Sequence, residues 1–265
     1  MVQSLGRAII ILSLALCLAA CGNAGVNGRR DVLGRLALHQ AVDSGDIAAV
    51  QALFEKGAQV NVTDLDGVTP LHRCARDGNL QMAELLLQHR ADPNIKTRDG
   101  WSPVHLAVWH RHAAMANLIL SYGGLATEQT PEGWAPLHLA AMRGMTDVID
   151  MLYLDWESSQ THGKPDPNAA DKEGNSPLFL ALAHREPAVV EQLLVKGADP
   201  NQTGKGGNRP LHLLVGTNSA FLVNKFLQYG ADVNGVNGQG LTPYALAYEK
   251  GDVAVGEALW NAGGR

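Results

Sequence analysis

Apolar positions along the chain recur in short helical stripes separated by turns that contain glycine. In the stretch GVTPLHRCARDGN, Leu71 and Ala75 lie four residues apart, which places them on one face of a helix. A second stripe with the spacing of an amphipathic helix follows, at Met82, Leu85 and Leu86. The pattern predicts two short antiparallel helices.

The ends of the first helix carry their own signals. Thr69 can cap it through the hydroxyl, and Pro70 takes the first helical position, where no amide donor is needed. Gly78 supplies the positive φ that ends the helix. Elsewhere this position holds Gly45, Gly144 and Gly251, but also Arg111, Arg185 and Asn218. A left-handed arginine costs about 1 kcal/mol, so these turns either carry that strain or have a different shape.

The helix pair belongs to a block that repeats along the chain. Seven glycines open the blocks, each 33 residues after the last except for one step of 41, at positions 34, 67, 100, 133, 174, 207 and 240. Five residues after the glycine stand His39, His72, His105, His138, Phe179, His212 and Ala245. Such a period indicates a stack of repeats, each burying its apolar face against the next.

Two motifs give the block a family resemblance. GVTPLH, GWSPVH, GWAPLH and GLTPYA resemble the opening of the ankyrin repeat, and EKGAQVN, QHRADPN, VKGADPN and QYGADVN resemble its closing hairpin. The resemblance covers residues 31–265. It implies an all-α fold, an ankyrin-repeat solenoid of about seven helix-turn-helix repeats with short β-hairpin loops.

One insertion breaks the period, in the segment WESSQTHGKPD at 156–166. Its polar residues, with glycine and proline, predict an exposed loop. Two interpretations are open: a binding element, or neutral drift, because surface insertions have a small thermodynamic cost.

The N-terminus reads as an export signal. Arg7 precedes an apolar run too short for a transmembrane helix, and residues 1–20 are predicted to be a signal peptide. Leu18-Ala19-Ala20-Cys21 resembles the lipobox of bacterial lipoproteins, which implies lipid attachment at Cys21. The alternative is an ordinary signal peptide with a small-residue cleavage site.

The same resemblance implies a location. Residues 21–30 are predicted to be a flexible tether between the lipid and the repeats. Gly22 stands where an aspartate would retain a lipoprotein in the inner membrane, so we expect the bacterial outer membrane, facing the periplasm. The mature chain would keep only Cys74, which excludes a disulfide framework.

The composition and net charge of the chain narrow the classes of partner that it is expected to bind. The chain is 46% hydrophobic but only 5% aromatic, and its net charge is −5. No basic face or charge run points to a nucleic-acid partner.

No residue pattern predicts catalysis. His72 and Cys74 are two apart on a helix and do not face one another. Five histidines occupy one repeat position, where the resemblance implies that the ring ties hairpin to helix. The others singled out lack metal-ligand spacing, namely His89, His112, His162 and His184. We expect no enzymatic activity, no cofactor, no metal and no small-molecule substrate.

Recognition of a protein partner remains. The resemblance implies binding at the hairpins and the first helices, where the candidate residues are Trp101, Trp109, His110, Trp134, Met142 and Arg143. Tryptophan and arginine dominate binding hot spots, but the tryptophans could instead pack on their own hairpins. The leading hypothesis is a lipid-anchored periplasmic binding protein, such as an immunity protein or inhibitor for a toxin or envelope enzyme. The alternative is an envelope-maintenance or stress-protection scaffold without a single tight partner.

Overall fold

The computed structural model describes residues 27–28, 30–32, 35–159 and 163–265, with the side chains of 155, 156, 158 and 159 left aside. The predicted signal peptide, the lipobox and Cys21 lie outside these ranges, as does Gly34. Within them, no helix has both the length and the apolar character that a bilayer span requires. The chain divides into two compact units, one ending at Leu125 and one from Ala126 to Arg265.

Among its described residues, the first unit holds three helix pairs. They are α1 (Ala37–Asp43) with α2 (Ile47–Glu55), α3 (Pro70–Asp77) with α4 (Leu80–Gln88), and α5 (Pro103–Trp109) with α6 (Ala113–Ser121). Between blocks two and three, the first helices α3 and α5 pack against each other, and so do the second helices α4 and α6.

In the part of the second unit that the structure describes there are four helix pairs and one 3-10 turn. They are α7 (Pro136–Met142) with α8 (Thr146–Ser159), α9 (Pro177–Ala183) with α10 (Pro187–Val195), α11 (Pro210–Leu213) with α12 (Ala220–Gln228), and α13 (Pro243–Lys250) with α14 (Val253–Asn261). The 3-10 turn is Lys205–Gly207. The predicted all-α fold of about seven helix pairs is confirmed.

The loops between blocks are tight hairpins. One is closed by the Asp64 amide donating to the Val68 carbonyl at 3.0 Å, and the next by Thr97 and Trp101 at 2.9 Å. In the described ranges no residue is in a β-strand, so the predicted β-hairpins are hydrogen-bonded turns.

The predicted helix ends are confirmed. In α3 the Thr69 hydroxyl accepts from the His72 amide, Pro70 is the first residue, and Gly78 ends the helix at φ 73°. The same left-handed conformation occurs at Arg111 (φ 64°) and Arg185 (φ 61°). These turns therefore keep the common shape and carry the strain.

The buried stripes agree with the pattern except in one position. Leu71 is 1% exposed, and Met82 and Leu86 are fully buried. Leu85, which the spacing places on the same stripe, is only partly buried, while Leu87 is 4% exposed. The buried face of α4 is therefore rotated from the predicted one, because it packs against both α3 and α6.

A recurring asparagine joins several hairpins to the next block, although block three has Thr127 at this position. The Asn94 side chain donates to the Gly123 carbonyl and accepts from the Leu125 amide, both at 2.9 Å. Equivalent bonds are made by Asn61, Asn168, Asn201 and Asn234. Each satisfies backbone groups of its neighbour and so fixes the register between blocks.

This ladder corrects the predicted tether at 21–30. Asn27 makes the same two bonds to block one, to the Gly57 carbonyl at 3.1 Å and from the Gln59 amide at 2.9 Å. Arg30 donates to the Thr63 carbonyl at 2.6 Å. The C-terminal part of the predicted tether is therefore attached to the repeats.

The first part of the block-four insertion is not the exposed loop that was predicted for residues 156–166. Helix α8 has 14 residues where α2, α4 and α6 have 9, so the segment from Trp156 continues the helix instead of opening a loop. After the helix, Lys164 and Asp166 are exposed, and Pro165 and Pro167 are buried.

Candidate functional site

The repeated histidines are structural groups. In block two, the His72 Nδ1 accepts from the Thr69 amide at 3.1 Å, so the proton is on Nε2, which donates to the Trp101 carbonyl at 3.1 Å. The ring nitrogen of His105 lies 2.7 Å from the Ser102 hydroxyl. Carbonyl partners of Nε2 in the other blocks are those of Val68, Ala169 and Leu241, for His39, His138 and His212. The predicted tie between hairpin and helix is confirmed.

Burial keeps these rings neutral. Desolvation lowers the pKa of His72 to about 4. It also lowers the pKa of His39, His138 and His212. A neutral imidazole whose two ring nitrogens both make hydrogen bonds within the protein is poorly placed to act as a general base.

Cys74 is likewise a packing residue. It is 1% exposed, and burial raises the pKa of its thiol to about 12. The reactive form of cysteine is the thiolate, which this environment suppresses at neutral pH. Cys74, like His72, therefore has a structural role.

Blocks one and two carry a ladder of ion pairs. Arg35 pairs with Asp31 at 2.7 Å and with Asp43 at 3.2 Å, and Arg73 pairs with Asp43 at 2.8 Å and with Asp64 at 2.7 Å. The two arginines balance two of the three aspartates, so this ladder of ion pairs keeps a single negative charge.

Block three brings two of the predicted binding residues together. The rings of Trp101 and Trp109 meet edge to face with centroids 5.9 Å apart, and both are partly exposed. We call this pair the aromatic cluster. The Trp101 backbone is fixed by its bonds to the Thr97 hydroxyl at 3.1 Å and to His72. The indoles therefore pack locally and still present a rigid surface.

His110 extends the exposed region beside the aromatic cluster. It is exposed, and its ring stacks on that of His112 with centroids 6.4 Å apart. His112 in turn contacts the Arg76 carbonyl at 3.1 Å.

The predicted binding residues of the second unit differ in accessibility. Trp134 and Arg143 are partly exposed. The Trp134 amide donates to the Thr130 hydroxyl at 3.3 Å. Met142 is only 9% exposed, so it has little surface for a partner, and its prediction as a contact residue is corrected.

Sequence reasoning missed an apolar groove beside block six. Helix α11 has only 4 residues, where the other first helices have 7 or 8. Leu214 stands at a site that other blocks fill with alanine or Cys74, and Gly216 at φ 92° follows two residues later. Loss of the last helical turn leaves a cavity of about 470 Å³ against α9, α10 and α12. Its apolar lining includes Leu182, Pro187, Ala188, Leu213, Phe221 and Leu222, and we call it the block-six groove.

One residue could have revealed the groove from sequence. Phe221 is 68% exposed. The other blocks place small or polar residues at this position, Ala48, Gln81, Ala114, Asp147, Ala188 and Ala254. An aromatic residue at a solvent-facing repeat position is the signal that was overlooked.

Metal binding has no support among the described residues. Nowhere in these ranges do three or more histidine, cysteine, aspartate or glutamate side chains come together in a group that could hold an ion.

Known proteins resemble the chain in sequence pattern and in fold. Family models for ankyrin repeats match residues 38–129, 123–204 and 193–247. The crystal structure of the human ASB11 ankyrin repeat domain is similar with a TM-score of 0.69 and 27% identity, over 87% of this chain and 99% of that one. No curated protein matched in the sequence search.

Proposed function

Since the chain belongs to the ankyrin-repeat family, whose repeats form a protein-interaction scaffold, we propose that it binds one protein partner and has no enzymatic activity. The observation that carries this proposal is the aromatic cluster. Two tryptophans at first-helix and hairpin positions keep part of their surface exposed, while His72, His105 and Cys74 are buried. Large rigid aromatics of this kind supply most of the energy in protein interfaces.

We further propose that the scaffold is attached by lipid at Cys21 to the outer membrane and faces the periplasm. The support is the sequence: a basic residue, a short apolar run, and Leu18-Ala19-Ala20-Cys21 at the spacing of a lipobox. Acyl chains anchor firmly because each buried CH₂ contributes about 0.8 kcal/mol. At that location we propose a toxin or an envelope enzyme as the partner, which the scaffold would inhibit.

The binding proposal is tested by capture from detergent-solubilised membranes of the source cell. We expect one stoichiometric protein, whose affinity falls by about 2 kcal/mol in Trp109→Ala. Trp260→Ala is the matched control, since Trp260 is 50% exposed but lies in block seven. Equal losses in both variants would remove the aromatic cluster from the binding site. A diffuse set of proteins would instead favour the envelope-maintenance scaffold.

The anchor is tested separately with Cys21→Ser. The unaltered chain should sediment with outer membranes and yield an acylated N-terminal peptide by mass spectrometry. The variant should lose both properties while keeping the repeat fold. A chain without acyl groups would contradict the anchor and leave the binding proposal standing.

A further inference from the structure

We propose that a cavity between blocks five, six and seven is a second binding site, which takes a peptide segment carrying aspartate or glutamate side chains. Its volume of about 530 Å³ lies within the ~300–1,000 Å³ of typical ligand pockets. We call it the basic cavity, and its lining includes Ala183, Arg185, Asn208, Gly216, Gln239 and Lys250. It shares the turn at Gly216 with the block-six groove, but its other walls include hairpin residues and α13. The inference rests on the proposed function only in that the partner is a protein.

The cavity forms where two neighbouring blocks lack a side chain that the other blocks carry. Two residues before the helix-ending position, block five has Ala183 and block six has Gly216. The other blocks fill this position with larger side chains, namely Asp43, Arg76, Trp109, Met142 and Glu249. The Gly216 amide is held by the Asp252 carboxylate at 2.7 Å, so the turn that lines the cavity is fixed by a tertiary contact.

The charged side chains in the lining of the basic cavity are basic. Arg185 and Lys250 are both exposed, and neither has an ion pair among the described residues. No aspartate or glutamate of the described chain belongs to the lining. His212, which does belong to it, stays neutral at pH 7 because burial lowers its pKa.

The acidic side chains closest in sequence to these residues leave the charge of the cavity positive. Glu249 is not part of the lining, and the carboxyl group of Glu186 lies against Gly144 of block four. The Asp252 carboxylate is bonded to the Gly216 amide, and this residue is only 5% exposed. Even with Asp252 counted, two cations stand against one anion. The cavity therefore complements a segment that carries carboxylates.

A side-chain amide beside the cations favours a peptide over a bare anion. Gln239 is exposed, and its side chain makes no hydrogen bond among the described residues. An amide both donates and accepts, so it can bond to the backbone of an extended chain while the carboxylates of that chain meet Arg185 and Lys250. An inorganic anion would use the two charges only.

The experiment selects a displayed library of random dodecapeptides on the full chain in detergent. We expect the enriched peptides to share two or more aspartate or glutamate residues. The probe is then the most enriched peptide, labelled with fluorescein, and its control is the same peptide with asparagine and glutamine in place of those acids. Fluorescence anisotropy measures both affinities, and we expect the control to bind at least tenfold more weakly.

Two substitutions test the charges of the cavity. Arg185→Gly removes one charge and relieves the strain of φ 61°, and Lys250→Gln removes the other, so neither should lower the thermal midpoint. Each should weaken the acidic peptide about three- to fivefold, as expected for one exposed ion pair, and the double variant about tenfold or more. The matched controls are Arg111→Gly, at φ 64° in block three, and Lys56→Gln in block one. Both should leave peptide affinity unchanged.

A third substitution tests the shape of the cavity. Ala183→Met gives block five the side chain that Met142 supplies at this position in block four. Since Ala183 is exposed, the added side chain should fill the cavity without disturbing the core. We expect peptide affinity to fall about tenfold while the thermal midpoint stays the same.

Three results would overturn the proposal: equal binding of the acidic peptide and its amide control, affinity indifferent to the charge and shape variants, or displacement of the peptide by inorganic phosphate at constant ionic strength. Displacement would mean that the cavity is a site for simple anions. Trp109→Ala should not alter binding of the acidic peptide, so failure at the aromatic cluster and failure at the basic cavity give different results.

Discussion

At the scale of single residues, the position that ends the first helix of each block shows that neighbouring side chains, as well as the backbone conformation, determine whether glycine is required. Every occupant of the helix-ending position has positive φ, but only some must be glycine. A Cβ on Gly78 would lie 2.8 Å from the His112 ring, and one on Gly45 would meet nothing within 4 Å. Position 78 therefore requires glycine both for its positive φ and because the His112 ring leaves no room for a Cβ. Position 45 requires glycine only for its positive φ.

This difference predicts that replacing glycine by alanine lowers the free energy of unfolding by different amounts at positions 45 and 78. Gly45→Ala should lower the free energy of unfolding by about 1 kcal/mol, the usual penalty for a left-handed alanine. Gly78→Ala should cost about 2 kcal/mol or more, because the His112 ring must also move. Urea unfolding of both variants measures this, and equal losses would show that the ring yields freely.

A second residue-scale prediction concerns Cys74. In a Cys17→Ser, Cys21→Ser variant it is the only thiol, and burial has raised its pKa to about 12. We expect no reaction with a maleimide at neutral pH in the folded protein, and complete reaction in denaturant. Fast labelling under native conditions would contradict the assignment of Cys74 to the core.

At the scale of elements, the caps of the second helices differ in reach. The Asp46 carboxylate accepts from one amide of its own helix α2, that of Ala49 at 2.9 Å. The Asp252 carboxylate accepts from Val255 at the start of α14, at 3.2 Å, and also from Gly216 in block six. Asp252 therefore caps one element and holds the turn of another.

We expect the two aspartates to differ in their contribution to stability. Asp46→Ala should cost about 1 kcal/mol, the usual loss of an N-cap. Asp252→Ala should cost about 2–3 kcal/mol, since it also leaves the partly buried Gly216 amide without its acceptor. Hydrogen exchange should accelerate at the Gly216 amide only in Asp252→Ala. Unaltered exchange there would show that the groove does not depend on Asp252.

At the scale of the whole molecule, the repeat places one neutral histidine in the interior of several blocks. In the unfolded chain such a ring takes up a proton below its ordinary pKa of 6.5, whereas folded His72 stays neutral down to about 4. The unfolded state therefore binds more protons in this interval, so stability is complete above pH 6.5 and is lost as the pH falls toward 4.

The predicted loss is substantial. His72 alone should account for about 3 kcal/mol of unfolding free energy between pH 6.5 and 4. His39, His138 and His212 act in the same direction. Urea unfolding across this range measures the effect, with His72→Gln as the comparison, because that variant should be less stable at neutral pH but less sensitive to acid. An unfolding free energy that stays constant from pH 7 to pH 5 would refute this origin.

The sequence by itself determined the repeat and the caps, because each depends on contacts that recur at one period, and the resemblance to ankyrin repeats implied the role of the histidines. Thr69, Pro70 and Gly78 act within a few residues of one another, and local interactions suffice to predict them. The repeated ring likewise needs only its own block and the next hairpin.

The tertiary structure decided what depends on departures from the period. Met142 is buried and Trp109 is not, although both occupy the same repeat position, because the residues packed around each differ. The block-six groove arises where Leu214 and Gly216 end a helix early and Asp252, 36 residues after Gly216, holds the turn. Exposure and cavities are properties of several segments packed together, so no single block of the sequence could specify them.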